Sequence, residues 1–436
     1  MSQTLSDSVL ALTSRPLLGL RQDVGSRLTD TALVALQHLL PSVGPLFQRF
    51  LSVGFRANQT FVLGKPYSTV PQAAEAISQT GCHVHLPAAG FFELGRYSES
   101  FHALVVDFWA AVRRKLPSNV RHVVILDEGG WLCRDAPDAI VDGLRVTAVE
   151  HTMFGLITAP AGGHSFPVVL MAASAAKTRF EGAVIADAII ERLEECIEGL
   201  PNLNIGILGL GNIGEAVAKA LESRPRGTLY GYDVAPEKGE YVKEFLTRAR
   251  GRSELVANCD VILGCTGTDS LEPGAQLHRV SKRRWLASCS SGDVEFSRAA
   301  RLLANRVTAF RSDPFRDARG MIGDTEVTLL NGGFPLNFDR TREREHPTRI
   351  QLTRELTFAS VLQAALCLDE DSVNAGVMLD PEVQEQLVQA WLIDSQAGRR
   401  FPFWTPHPAS WWERHSRGVR SSSSLTELVE VRAGGS

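Results

Sequence analysis

No apolar run in this chain approaches the roughly 18 residues that a membrane-spanning helix needs. Neither sign of charge dominates: 45 Lys+Arg stand against 49 Asp+Glu, a formal net charge of −4. That balance gives no basic surface for nucleic acid and no acidic tract suggestive of disorder. Cysteine is scarce and scattered, at 82, 133, 196, 259, 265, 289 and 367, with no CxxC pair. The thiols read as reduced and mostly buried, as in a cytoplasmic protein. No His/Cys/Asp/Glu cluster has zinc spacing, so no metal is expected. The opening "MSQTLSDSVLALTSRPLLGLRQD" lacks a basic region followed by a long apolar core, so a signal peptide is not expected. No internal repeat is visible.

What is present is the ordinary composition of a soluble α/β protein, 44% apolar and 22% charged, over 436 residues, enough for two cores. Apolar spacing predicts a surface helix over Thr29–Leu51. Strand candidates follow at 60–64, 83–87, 122–130 and 167–173, with amphipathic helices over 98–116 and 181–198. After "GLPN" (199–202), further strand candidates fall at 259–267, 283–291, 306–313 and 325–333, and helices at about 351–367 and 381–393. The alternation predicts an α/β fold of two domains, with a doubly wound Rossmann domain (181–349) inserted in an α/β substrate-type domain (1–180, completed by helices at about 350–395). Residues 396–436 carry Arg399, Arg400, Trp404, Trp411, Trp412 and Arg414 among prolines and serines, and read as an extended tail.

The most informative stretch is "NIGILGLGNIGEAVAKALESRPRGTLYGYD" (204–233). Gly209, Gly211 and Gly214 have GxGxxG spacing: the first makes the strand-to-helix turn, the second lets the backbone approach a pyrophosphate, and the third lets helix pack on strand. Asn212 and Ile213 open the helix, whose free N–H groups and partial positive charge suit a phosphate. Asp233 closes the next strand 24 residues after Gly209, where its carboxylate can accept from ribose hydroxyls. No arginine follows Asp233 closely, which favours NAD over NADP. The expected cofactor is NAD.

Several fragments in order resemble S-adenosylhomocysteine hydrolase: "ILDEGGWL" (125–132), "EHTMFG" (150–155), "SAAKTRFEG" (174–182), "CTGT" (265–268), "SSGDVEF" (290–296), and the "LN" and "HP" at 336–337 and 346–347. This resemblance implies a two-domain enzyme that oxidises the ribose 3′-hydroxyl of its substrate with tightly held NAD. It adds Thr152, Thr266 and Asn337 to the cofactor contacts. On the reaction side it implies catalytic roles for Glu128, Lys177 and Glu181. The chain departs from the pattern at His151, Gly182 and Ser291, where the hydrolase has glutamate, asparagine and histidine. "KPYSTVPQ" (65–72) stands where it has His-Met-Thr-x-Glu. The tail also lacks the lysine and tyrosine that the hydrolase gives to a neighbouring subunit.

Lys177 and Glu181, at i and i+4, form either an acid/base pair for a secondary alcohol or an ordinary surface ion pair. His151 either moves protons or is a packed histidine. Asp127 and Glu128 are either paired acids or backbone caps. His346 lies in a charged loop, and Ser291 has neither a partner base nor a GxSxG turn. These residues leave open an NAD-dependent enzyme acting on a nucleoside-like or hydroxylated substrate, a non-catalytic NAD-binding sensor, and an authentic hydrolase. A D-2-hydroxyacid dehydrogenase shares the GLGNIG style of loop, but the arginine, glutamate and histidine series of that family is not evident. The expected partners are a small molecule and further copies of the chain, with neither nucleic acid nor membrane.

Overall fold

A computed structural model of the chain describes residues 28–88, 90–92, 96–139, 143–160, 163–271, 283–304, 313–366, 368 and 376–394. Two seven-stranded sheets carry it. The first contains β1 (Thr31–Gln37), β2 (Thr60–Gly64), β3 (His83–His85), β4 (His122–Asp127), β5 (Arg145–Glu150), β6 (Val168–Val169) and β14 (Gly376–Val377). Its order is β14-β6-β5-β4-β1-β2-β3, parallel throughout. The second contains β7 (Ile205–Leu208), β8 (Leu229–Tyr232), β9 (Thr247–Arg248), β10 (Val261–Gly264), β11 (Arg283–Ser288), β12 (Ala318–Ile322) and β13 (Thr325–Leu329). Its order is β12-β13-β11-β10-β7-β8-β9, and only the β12–β13 pair is antiparallel. Counted from β7, the parallel strands run 3-2-1-4-5-6, the doubly wound dinucleotide-binding order. The fold is α/β, with the strands of this Rossmann domain all falling between β6 and β14 of the other sheet.

The helices are α1 (Val43–Ser52), α2 (Pro71–Gln79), α3 (Tyr97–Lys115), α4 (Trp131–Ala139), α5 (Met153–Ile157), α6 (Ala175–Cys196), α7 (Asn212–Glu222), α8 (Arg252–Asn258), α9 (Ser297–Ala304), α10 (Pro347–Leu366) and α11 (Pro381–Asp394). Two of them carry the chain between the sheets, α6 outward and α10 back. The helix expected over 29–51 is not one element: Thr31–Gln37 is a central strand, and only Val43–Ser52 is helical. Leu33 and Ala35 enter one core while Ala32, Val34 and Leu36 enter another on the opposite face. A strand buried on both faces has no polar side, so its apolar run cannot be told from a helix by periodicity alone. The expected helix at 181 starts earlier, at Ala175, and the expected strand at 167–173 shrinks to Val168–Val169 before a short 3-10 turn. The strand expected at 306–313 falls, apart from its last residue, outside the described residues, as does the tail.

Each sheet is packed on both faces, giving four apolar cores. Burying each leucine, valine or phenylalanine contributes about 1.5–3 kcal/mol. These cores fix the strand ends, and with them the loops that carry polar groups. Among the described residues no helix is long and apolar enough to cross a membrane.

Candidate active site at the strand ends

In the second sheet the glycine loop follows β7, beside β10, where the strand order reverses. The three glycines divide their work in space. Gly209 has φ +91°, and a Cβ there would lie 2.5 Å from the Cys265 carbonyl oxygen. At Gly214 a Cβ would lie 1.9 Å from the Gly209 carbonyl oxygen, so strand turn and helix are in direct backbone contact. Gly211 differs: a Cβ there would meet nothing within 4 Å. The loop is thus closed behind and open at its middle glycine, where a pyrophosphate needs backbone access. Asn212 and Ile213 form the first turn of α7 beyond it. Asp233 turns inward, its carboxylate accepting from the Leu210 N–H at 2.7 Å and the Ala235 N–H at 2.9 Å. This geometry fits a dinucleotide.

Sequence distance hid a cation here. Arg248, on β9, donates to the carbonyls of Lys238 and, at 3.2 Å, of Ala235, and so braces the loop that follows Asp233. Glu295 was also missed. Its buried carboxylate accepts from the Thr266 hydroxyl at 2.9 Å, the Gly267 N–H at 2.6 Å, the Ser290 hydroxyl at 2.5 Å and the Ser270 hydroxyl. Burial pushes its carboxyl pKa up. Thr266 is therefore part of the scaffold under the cofactor loop. Asn337 donates to Glu345 at 2.6 Å, and Thr152 caps α5 while donating to Glu150 at 2.8 Å.

The first sheet has a reversal of its own, between β1 and β4, and the residues just past its strands converge. His38 follows β1, Lys65 follows β2, Glu128 follows β4 and His151 follows β5. Nε2–H of His38 donates to Glu128 Oε1 at 2.8 Å, while Nδ1 accepts from the Ser68 hydroxyl at 2.5 Å. Lys65 Nζ lies 3.8 Å and His151 Nδ1 3.6 Å from the same Glu128 oxygen. Burial alone would raise the Glu128 carboxyl, but His38, Lys65 and His151 together hold it well below the carboxylate range. Burial lowers His38 to about 4, so its ring is neutral at pH 7. His151 is lowered by burial and then by Lys177. Its Nδ1 thus faces Glu128, while Nε2 is buried without a hydrogen-bond partner, as is Oε2 of Glu128.

Lys177, near the start of α6, pairs with Glu181, and Glu181 also accepts from Thr353 at 3.1 Å. The side chains are 9% and 17% exposed, which rules out an ordinary surface pair. One residue on, a Cβ at Gly182 would lie 3.3 Å from the Asn212 carbonyl oxygen. Helix α6 thus runs from the buried cluster directly onto the glycine-loop helix. Asp127 is a backbone cap, accepting from Glu128 N–H and Cys133 N–H, both at 2.7 Å, rather than a partner acid of Glu128. Glu150 collects the N–H groups of Gly129, Gly130 and Thr152, and burial, then Asp127, raises it to about 8. His346 is exposed just before α10, where it lines a cavity with Val184 and Asp187 of α6.

Aromatic residues of the 315–338 segment close over the cluster. Phe338 stacks on His38 at 4.1 Å and Phe334 on Tyr67 at 5.0 Å. His38 lacked a sequence signal as long as β1 was read as helix, and Lys65, which follows the expected strand at 60–64, was passed over. Their signal is positional: each is the first residue after an apolar strand.

Residues 169–272 match the family model "D-isomer specific 2-hydroxyacid dehydrogenase, NAD binding domain". This overturns the resemblance to S-adenosylhomocysteine hydrolase: the likeness lies in the cofactor domain alone and is to the D-isomer specific 2-hydroxyacid dehydrogenases. The fragments behind that resemblance are mostly strand ends, turns and cofactor-loop segments, which dinucleotide folds share for reasons of geometry. Curated proteins from two strains of Mycobacterium tuberculosis, described only as uncharacterised, are each 29% identical over 392 residues, 86% of this chain and 73% of theirs. Among solved structures, an NADPH-dependent glyoxylate/hydroxypyruvate reductase from Sinorhizobium meliloti is 14% identical, with a TM-score of 0.36, over 58% of this chain and 82% of its own. A dehydrogenase from Rhizobium meliloti is 14% identical, with a TM-score of 0.32, over 67% and 93%. Likeness at that level says nothing of substrate or mechanism. The chain carries a nicotinamide-dinucleotide-binding domain similar to that of the D-isomer specific 2-hydroxyacid dehydrogenases.

Proposed function

We propose that this chain is an NAD-dependent oxidoreductase that interconverts a secondary alcohol and its carbonyl at the buried cluster on the first sheet. One observation carries the reading: His151, a neutral imidazole that faces Glu128 through Nδ1 and leaves Nε2 without a partner, sits among charged groups at the head of the helix that leads to the glycine loop.

Gly209, Gly211 and Gly214, with Asn212 and Ile213, would hold the pyrophosphate, and Asp233 the ribose. A bound nicotinamide dinucleotide supplies the hydride acceptor for alcohol oxidation, or the donor for carbonyl reduction. The protein's part is the proton and the geometry. His151 accepts the hydroxyl proton as the carbonyl forms and returns it in the reverse direction. The Lys177 ammonium favours oxyanion character on the reacting oxygen, and Glu181 and Thr353 fix its position. Glu128 holds His38 and Lys65 in register. Closure of the aromatic segment excludes water from the transfer.

A second reading, a non-catalytic NAD-binding protein, is favoured by the charge balance of the cluster, in which each lysine already has its carboxylate. Titration calorimetry with NAD, followed by absorbance at 340 nm across secondary alcohols and ketones, separates the two. The enzyme reading expects turnover that falls about 10²–10⁴-fold in His151→Asn. Bound NAD with no turnover across the panel supports the second reading, and absence of NAD binding defeats both.

A further inference from the structure

We propose that the cluster takes a neutral polyhydroxylated molecule, a polyol or sugar with adjacent hydroxyls, and not a 2-hydroxy carboxylate. The proposal rests on the oxidoreductase reading above and names its substrate class.

A carboxylate taken from water into a buried site needs an uncompensated cation, best an arginine fork. Among the described residues the cluster offers none. Lys65 faces Glu128, and Lys177 is paired with Glu181; the two lysine side chains are 3% and 9% exposed. Arg354, the buried arginine on neighbouring α10, donates to the Ser42 hydroxyl at 2.9 Å and lies 3.5 Å from Glu343. His38 and His151 are neutral through burial. Asp127 and Glu150 lie behind them, under the Gly129–Gly130 turn. An arriving carboxylate would add a negative charge where positive and negative charges are already matched.

The groups left over are of another kind. Nε2 of His151 and Oε2 of Glu128 are buried without a hydrogen-bond partner, and Nδ1 of His151 lies 3.6 Å from Glu128 Oε1. Together they present hydrogen-bonding groups whose one charge, on Glu128, is matched by Lys65. A substrate hydroxyl donates and accepts at once, so a run of adjacent hydroxyls can satisfy such a set. Glu128 Oε2 is decisive: an ionised carboxylate oxygen attracts an O–H and repels a substrate carboxylate. The rings of Tyr67, Phe334 and Phe338 beside it suit the C–H face of a polyol. Oxidation then balances as secondary alcohol plus NAD⁺ giving ketone, NADH and a proton, the proton passing first to His151.

The test uses the full chain saturated with NAD⁺ and two probe sets, neutral (glycerol, erythritol, myo-inositol, ribose) and anionic (D-lactate, D-glycerate). Binding is followed by calorimetry and turnover at 340 nm. The expected result is binding and NADH formation in the neutral set only. Glu181→Gln, which strips Lys177 of its counter-charge, should raise affinity for the anionic set about tenfold relative to the neutral one. Wild-type turnover of a hydroxy acid, or binding of one as tightly as the best polyol, overturns the proposal, as does absence of polyol binding. A polyol that binds without forming NADH defeats the oxidoreductase reading but leaves this one standing.

Discussion

Alanine at Gly211 and alanine at Gly214 should separate cofactor binding from folding. At Gly211 the backbone is extended, at φ −75° and ψ −165°, and an added methyl would touch nothing within 4 Å. Alanine adopts that conformation freely, so stability should stay within about 0.5 kcal/mol of wild type. The same open space is where a pyrophosphate would approach the backbone. Losing one charge-assisted hydrogen bond costs about 1.5–3 kcal/mol, or about 10- to 150-fold in NAD affinity. At Gly214 the added methyl would lie 1.9 Å from one backbone oxygen and 2.9 Å from the adjoining carbon of Gly209. Backbone cannot swing aside as a side chain can, so helix α7 must shift, at a cost of about 1–3 kcal/mol. Calorimetric titration with NAD and urea denaturation of both variants measure the two effects. Wild-type NAD affinity in Gly211→Ala, or wild-type stability in Gly214→Ala, would refute this division of labour.

Asp233→Ala should weaken NAD binding about tenfold and narrow any preference over NADP, as the carboxylate that repels a 2′-phosphate is gone while Arg248 remains; the ratio of the two dissociation constants checks it. For alcohol oxidation, the acidic limb of kcat should lie below 6.5, because burial and Lys177 lower His151; a limb at 7 or above would remove His151 as the base. Glu150 titrates near 8 in the fold against 4.5 unfolded, so its stabilising contribution is full below pH 4.5 and is lost as pH rises through 8. Glu150→Gln, compared with wild type by thermal unfolding from pH 5 to 9, should therefore show a stability deficit that shrinks toward the alkaline end, and a constant deficit would count against the raised value.

The cofactor unit was legible because it is contiguous. Strand, turn, helix and acid occupy 204–233, and each glycine answers to a local steric need that close spacing reveals. The buried strand-end cluster was half legible. Glu128, His151, Lys177 and Glu181 came from a resemblance that the NAD-binding domain match then overturned, yet the structure gathers them for a different reason: Glu128 and His151 follow strands of one sheet, and Lys177 and Glu181 lie near the start of α6 beside them. His38 went unseen because a strand buried on both faces carries no alternation to distinguish it from a helix, and Lys65, although it follows an expected strand, went unseen because only the pairing of β1 with β2 and β4 brings it to Glu128.

By itself the sequence determined the α/β alternation and the nicotinamide-dinucleotide loop, since both follow from interactions spanning about 30 residues. Only the tertiary structure decided that Asp127 caps backbone while Glu128 faces His38, that the Lys177–Glu181 pair is buried, and that Arg248 braces the loop after Asp233. Those outcomes depend on strand order and on which face each core covers, and parallel pairing brings together residues that sequence distance keeps apart.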